Sequence, residues 1–319
     1  MEIMLSVIMT VYNHEAYIKK AIDSLLMQKI DFTYEVLIGE DCSTDGSRQI
    51  ISQMEETLPE CVHIYYREKN LGMYGNFTDL CSQAKGRYMI ILEGDDYWMY
   101  ECKLQWQVDY LNQHPEILAV AHNTIVVDEN NNPIDGAVYP DCHDRIYTLK
   151  HYRKGIMPGH TATLMYRNYH RDSIFSTEVE HVPFAGDQLI AFLLASNGQV
   201  HCIQQRWSAY RHVLKSGSSY SATFRDDDDY KKRMVYFYRS LYRYASGQFA
   251  NGLSIRVSAQ LYCFYLFRWS LGKKALFSMK DFIKEFKMVR YKGAVLVYIL
   301  YRIAAHLFLG KRRGWSNSH

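Results

Sequence analysis

Short apolar runs alternate with helically spaced segments from the N-terminus onward. Leu5–Val11 is a β-branched run that predicts a buried strand. Ala16, Ile18, Ala21, Ile22, Leu25 and Leu26 then recur at helical spacing, and Asn13 is placed to cap that helix. Tyr34–Gly39 predicts a second strand, ending at Glu40-Asp41, and the turn residues Ser43-Thr44-Asp45-Gly46 open a helix from about Ser47 to Glu56. Val62–Tyr66 reads as a third strand and Tyr74–Ala84 as a third helix. Tyr88–Leu92 is a fourth strand, again ending in acid at Glu93-Gly94-Asp95-Asp96.

Strands alternating with helices imply βαβ units and a parallel sheet covered on both faces. Ligands of such sheets bind beyond the carboxyl ends of the strands. Thr10, Tyr12, Asp41, Glu93, Asp95 and Asp96 all fall at those ends, so the polar chemistry converges on one edge.

Farther along, Lys103–Leu111 continues as a helix, and Ala119–His122 and Thr124–Val127 read as two strands. Asp128–Asp144 is turn-rich, Thr161–Tyr166 predicts a strand and Asp187–Leu194 a helix. Residues 215–229, with Ser216-Gly217-Ser218-Ser219 and an acidic run from Asp226, read as a connector. A helical pattern follows from Asp229 to Gly310. The expected division is an α/β domain over 1–214 and a helical C-terminal region over 215–319.

Composition narrows the classes. With 37 Lys and Arg against 34 Asp and Glu, the net charge of +3 argues against dedicated nucleic-acid binding. The 48% hydrophobic and 22% charged content is that of a folded chain, not a disordered one. Tyrosine is abundant at 27 residues, and such amphipathic rings suit sugar-facing clefts or membrane interfaces. The seven cysteines form no CxxC pair, which predicts reduced thiols rather than a disulfide framework or zinc site. Met1-Glu2-Ile3-Met4 runs straight into the first strand and is read as carrying no secretory leader.

Three segments carry candidate chemistry. In Thr10-Val11-Tyr12-Asn13-His14-Glu15 a tyrosine can stack on a nucleobase, against the plainer reading of a strand-to-helix turn. In Gly39–Gly46 the carboxylate of Asp41 can accept from a base N–H, although the same residues make a good helix N-terminus. In Glu93-Gly94-Asp95-Asp96-Tyr97-Trp98 three acids crowd within four residues between apolar flanks. They repel one another unless a cation is present, and Mg²⁺ or Mn²⁺ shares such hard oxygens with substrate phosphates.

Together, in this order and spacing, these segments resemble family 2 of the glycosyltransferases, with the GT-A fold. The resemblance takes in Asn70-Leu71-Gly72 through Phe77, Ala84–Tyr88 and Lys103-Leu104-Gln105, and spans about residues 4–212. The chain looks most like the bacterial branch that builds surface polysaccharides such as capsule or O-antigen. The resemblance implies that Thr10, Tyr12 and Asp41 hold the base of a nucleotide-sugar, usually uracil, and that Asn13, Glu15, Gly72 and Asn76 line its pocket. Glu93, Asp95 and Asp96 match the acidic motif, with Asp95 and Asp96 favoured as ligands of Mn²⁺ or Mg²⁺. Asp187, in Ala185-Gly186-Asp187-Gln188, matches the catalytic base, although an Asp starting a helix also serves as a cap. Ser208-Ala209-Tyr210-Arg211-His212 resembles a Tyr-Arg-x-His segment at the active-site rim, although His212 here directly follows Arg211, and Arg211, His212 and Lys215 can meet diphosphate charge. His160 reads as structural, with an acceptor contact as the other reading. The implied activity is inverting, metal-dependent hexosyl or N-acetylhexosaminyl transfer to a glycan hydroxyl, on a lipid-linked intermediate at the cytoplasmic face of the membrane. A catalytically silent nucleotide- or glycan-binding scaffold is the alternative, disfavoured by the intact acids. A sugar-nucleotidyltransferase is disfavoured because no Gly-rich basic loop follows the first strand.

The charge is uneven. Residues 280–319 carry nine Lys or Arg against Asp281 and Glu285, a net of +7 that leaves −4 for the rest. Ala294–Leu309 is apolar apart from Arg302 and His306. A basic, apolar tail fits a helix lying on an anionic membrane surface better than one docked on the protein, and both better than a spanning helix.

Overall fold

The computed structural model of the protein describes residues 2–168, 186–213, 226–248, 252–271 and 275–309. These fall into two compact units, one holding the described residues up to 213 and the other those from 226 on. The expected boundary at 214/215, Lys215 and most of the expected connector lie outside the described residues.

The first unit is built on a nine-stranded sheet. Strands β1 (Leu5–Val11), β2 (Tyr34–Glu40), β3 (Val62–Tyr66) and β4 (Tyr88–Ile91) form a parallel block in the order β3-β2-β1-β4. Helices α1 (Ile18–Leu26), α2 (Ser47–Glu55) and α3 (Gly72–Gln83) make the crossovers. Beyond β4 the order runs through β8 (Met165–Arg167), β6 (Ile117–Val127) and β9 (Gln199–Arg211) to β5 (Tyr97–Trp98), with β7 (Ile146–Tyr147) beside β9. The long ladders are parallel, and the antiparallel pairings of β4, β5, β6, β7, β8 and β9 involve two residue pairs each. Helices α4 (Lys103–Gln113), α5 (Leu149–Tyr152) and α6 (Gly186–Asn197) complete the unit. The apolar faces of β1, β2 and β4 close against α1, α2 and α4, burying Val7, Met9, Ile22, Val36, Ile90, Leu104 and Val108.

Several local expectations are corrected. The two strands expected at 119–127 are one strand, β6, whose register against β9 shifts around Asn123. The strand expected from Thr161 is a single 3-10 turn, Thr161–Thr163, whose N-terminus is capped by the His160 side chain, followed by β8. Asn13 does not cap α1, which has no side-chain cap. Asn13 instead adopts φ 56° and accepts through Oδ1 from the backbone N–H of Thr44 at 2.7 Å. All seven cysteines are free thiols.

The second unit is helical: α7 (Asp228–Gln248), α8 (Gly252–Arg268), α9 (Met279–Met288) and α10 (Lys292–Leu309). Helix α8 is its centre and is buried on most sides. Tyr265 stacks on Tyr238 of α7 at 4.9 Å, Phe267 meets Phe282 of α9 at 5.1 Å, and Phe264 meets Tyr298 of α10 at 5.9 Å. Among the described residues no helix is long and apolar enough to cross a membrane.

Candidate active site

The carboxyl ends of β1, β2 and β4 are laced together. The Asp41 N–H donates to the Val11 carbonyl at 2.9 Å, and the Gly94 N–H donates to the Thr10 carbonyl at 3.1 Å. The loop after β1 is stitched to the loop after β2. Asn13 N–H donates to Ser43 Oγ (3.0 Å), His14 N–H to Ser47 Oγ (2.7 Å), and Gly46 N–H to Glu15 Oε2 (2.6 Å). Asn13 and Glu15 therefore shape this edge through their side chains, while Thr10 and Tyr12 remain half-buried at it.

Asp41 is buried, and its Oδ1 accepts from the Leu71 N–H at 2.7 Å. That bond fixes the turn leading to Gly72, whose φ of 74° suits glycine. Asn76, also buried, donates through Nδ2 to the Gly39 carbonyl at 2.8 Å. It packs so closely that a Cβ on Gly39 would fall on its amide. Asp41 and Asn76 thus tie the end of β2 to the start of α3, where Gly72 lies.

The acidic turn follows β4. Glu93, Asp96 and His160 each offer a ligand atom, and these atoms lie within 4.8 Å of one another. His160 Nδ1 is 3.4 Å from Asp96 Oδ2, and the Thr161 hydroxyl donates to Glu93 at 2.8 Å and 2.9 Å. Burial pushes the Glu93 carboxyl up to about 7, with the Asp95 charge adding to the effect. Burial, then the charges of Asp95 and Glu93, also raise Asp96 well above the carboxylate range. Burial holds His160 down to about 3. The two carboxylates are hard oxygen donors that fit Mn²⁺ or Mg²⁺, whereas the imidazole nitrogen is a donor of the kind that softer transition-metal ions prefer. The Asp95 carboxylate lies apart from this trio, with Oδ2 3.8 Å from His14 Nε2.

Arg211, at the end of β9, is 1% exposed. Its backbone N–H donates to Asp96 Oδ1 at 2.8 Å and its Nε to the Asp95 carbonyl at 2.8 Å. Its Nη atoms hold the Asp128 carbonyl (2.9 Å), the Glu129 carbonyl (3.3 Å) and Asn131 Oδ1 (2.8 Å). The guanidinium therefore backs the acidic turn from inside the protein. His212 is half-buried and stacks on Tyr210 at 6.1 Å.

Asp187 lies in the first turn of α6. It lines a small cleft with Ile91, Gly159, Thr161, Tyr166 and Ile190. Burial raises its carboxyl, and Thr161 of the same cleft donates to Glu93. Tyr139 and Tyr210 enclose His160 at ring distances of 5.0 Å and 4.6 Å. Tyr210 belongs to the rim segment the sequence offers, whereas nothing in the sequence distinguishes Tyr139 among the 27 tyrosines.

The fold is that of a GT-A nucleotide-diphospho-sugar transferase. The family model for glycosyl transferase family 2 matches residues 6–173, and the chain belongs to that family. An uncharacterized protein of Mycobacterium tuberculosis (strain ATCC 25618 / H37Rv) is 38% identical over 126 residues, 40% of this chain and 36% of that protein. The chain thus spans about a third of that relative's length. TuaG of Bacillus subtilis (strain 168), provisionally named a teichuronic acid biosynthesis glycosyltransferase, is 30% identical over 136 residues, 43% of this chain and 52% of TuaG. The crystal structure of S. aureus TarS 1-349 in complex with UDP-GlcNAc shares the fold, with TM-score 0.61 at 18% identity, covering 95% of this chain and 83% of that one.

Proposed function

We propose that the protein is an inverting, metal-dependent glycosyltransferase that moves a sugar from a UDP-sugar to a glycan hydroxyl. The observation that supports this reading is the Glu93–Asp96–His160 trio after β4, together with the Asp187 carboxyl in a small cleft that also holds Thr161, the residue whose hydroxyl donates to Glu93. Thr10, Tyr12 and Asp41 would receive the base, on a wall kept in shape by Asn13, Glu15, Gly72 and Asn76. Asp96, with Glu93 and His160 or with Asp95, would hold Mn²⁺ or Mg²⁺; a divalent cation there neutralises the charge of a leaving diphosphate.

Asp187 would take the proton of the acceptor hydroxyl. Its burial raises its proton affinity, which strengthens it as a base. The hydroxyl oxygen forms its bond to the anomeric carbon as the bond from that carbon to the diphosphate oxygen breaks, so configuration inverts. Arg211 would position Asp95 and Asp96 rather than touch substrate. The printed name of TuaG and the UDP-GlcNAc in the TarS title support a UDP-sugar donor and a cell-surface polysaccharide acceptor. The acceptor would be lipid-linked, with the enzyme peripheral on the inner face of the cell membrane and both hexoses and N-acetylhexosamines candidate cargoes.

The test is a panel of nucleotide-sugars, read as donor hydrolysis and as thermal shift, with Mn²⁺ and with chelator. Metal-dependent turnover of a UDP-sugar is expected. Metal-dependent binding without turnover would make the protein a silent scaffold, and no binding of any donor would refute the reading.

A further inference from the structure

Helices α9 and α10 are each docked by one face and bare on the other. In α9, Phe282, Glu285 and Phe286 turn inward, with Arg239 of α7 donating to Glu285 Oε1 at 2.7 Å. The opposite stripe is Lys280, Ile283, Lys284, Lys287 and Met288, and these five residues line a shallow surface groove. Their spacing of three, one, three and one residues puts them on one helix face. Ile283 is 47% and Met288 73% exposed.

Three residues later α10 repeats the arrangement without charge. Val295, Tyr298 and Ile299 are buried, and the Arg302 guanidinium lies over the Phe264 ring at 4.5 Å. The outer stripe is Gly293, Leu296, Val297, Leu300 and Tyr301, whose four side chains are 50%, 67%, 57% and 65% exposed. So many large apolar side chains contiguous on one helix mark a surface that something covers.

From these two stripes we infer that α9 and α10 form a bilayer-binding surface for anionic phospholipid, α10 lying in the interface and the α9 lysines meeting the phosphates. Charge complementarity selects this occupant. The two acids of the segment are engaged elsewhere: Asp281 Oδ2 accepts from the Ser278 N–H and hydroxyl at the helix N-terminus, and Glu285 is held by Arg239. Glu285 is neutralised by Arg239 and Asp281 leaves one exposed carboxylate on the helix, so Lys280, Lys284 and Lys287 form a net basic row beside apolar side chains, with Arg290 before α10 and Lys292 at its first position also exposed. A second copy of this chain would bring the same basic row against itself. The helix spans no bilayer, which leaves an in-plane position. The sequence alone sets self-docking against membrane attachment for this tail; the structure gives α10 a face for each.

The inference stands apart from the transfer reading, because its test reads lipid binding and not turnover. Full-length protein is floated with vesicles of phosphatidylcholine, with and without phosphatidylglycerol. Binding is expected with phosphatidylglycerol and should weaken with salt. The Lys280→Gln/Lys284→Gln/Lys287→Gln variant should bind roughly a hundredfold more weakly, at about fivefold per lysine. The Leu296→Ser/Leu300→Ser variant should lose binding even at low salt. UDP thermal shifts of both variants check that the fold is kept. Full-length protein that stays unbound at low salt, or variants that bind like the parent, would overturn the inference. So would sedimentation showing a dimer that the Leu296→Ser/Leu300→Ser change dissociates.

Discussion

Replacing Asp141 by Asn should flatten the pH dependence of stability. Asp141 is 6% exposed on the segment that leads from Tyr139 toward β7. Its Oδ2 accepts from the Thr124 N–H at 3.1 Å, while its buried Oδ1 has no hydrogen-bond partner among the described residues. Burial dominates and pushes the carboxyl up to about 7 from 3.8, despite the nearby charges of His143 and Arg206. The folded state therefore binds this proton more tightly than the unfolded state does. The resulting stability is fully present below pH 4 and is lost as pH rises through 7. About three units at 1.36 kcal/mol each amount to about 4 kcal/mol lost by pH 8. Asparagine keeps the shape and the bond from Thr124 but cannot ionise. Wild type and Asp141→Asn should therefore unfold alike at about pH 4 and diverge steadily from there to pH 7. By pH 8 the variant should be the more stable by about 4 kcal/mol, or roughly 10 °C in Tm for a chain of this size. Urea and thermal unfolding of both proteins across pH 4–8 measure this. Stability curves that stay parallel over that range would refute the reasoning.

Asp187→Asn should keep UDP-sugar binding by thermal shift and slow transfer about 10²–10⁴-fold, the usual loss with a general base; unchanged turnover would exclude Asp187 as the base. Asp96→Asn should abolish the difference in UDP affinity between Mn²⁺ and chelator, measured by calorimetry, whereas Asp95→Asn should only reduce it. Gly39→Ala should destabilise by about 1–3 kcal/mol in urea unfolding, because its Cβ displaces the Asn76 amide. A stability equal to wild type there would mean that Asn76 is free to move.

The parallel half of the sheet was legible because β1, β2 and β4 are mostly apolar runs followed by polar residues. β9 was not, because exposed Gln204, Gln205 and Arg206 interrupt its alternation where it bulges opposite Asn123. β5 is two residues long and sits inside the acidic motif, so its pattern carries no period. The acidic turn was readable as a site from like charges in sequence, but its histidine was not. His160 stands more than sixty residues from Glu93, and the sheet order β4-β8-β6 brings the turn before β8 alongside. His160 caps the Thr161–Thr163 turn by accepting from the Ala162 N–H, a role that histidine does not announce in sequence, and the same Nδ1 lies 3.4 Å from Asp96 Oδ2. Asn13 was misread for a related reason: the residues that favour caps also favour left-handed backbone, and local sequence does not choose between them.

Arg211 shows how the late strand serves the early motif. A sequence reading gives a rim arginine to the diphosphate, since exposed guanidinium forks bind phosphate well. Buried at the end of β9, the side chain instead meets the Asp95 carbonyl, the 128–131 loop and the Tyr17 ring, 4.3 Å from its guanidinium. A buried cation needs such acceptors, and their loss would leave it uncompensated. Its position is paid for by the turn it braces. The Arg211 backbone N–H on Asp96 Oδ1 and the guanidinium charge both favour the ionised carboxyl, opposing the burial that raises it. Asp96 can thus be sunk beside His160 and still accept a cation. The acidic motif alone supplies the oxygens; the strand that arrives more than a hundred residues later makes their burial tolerable.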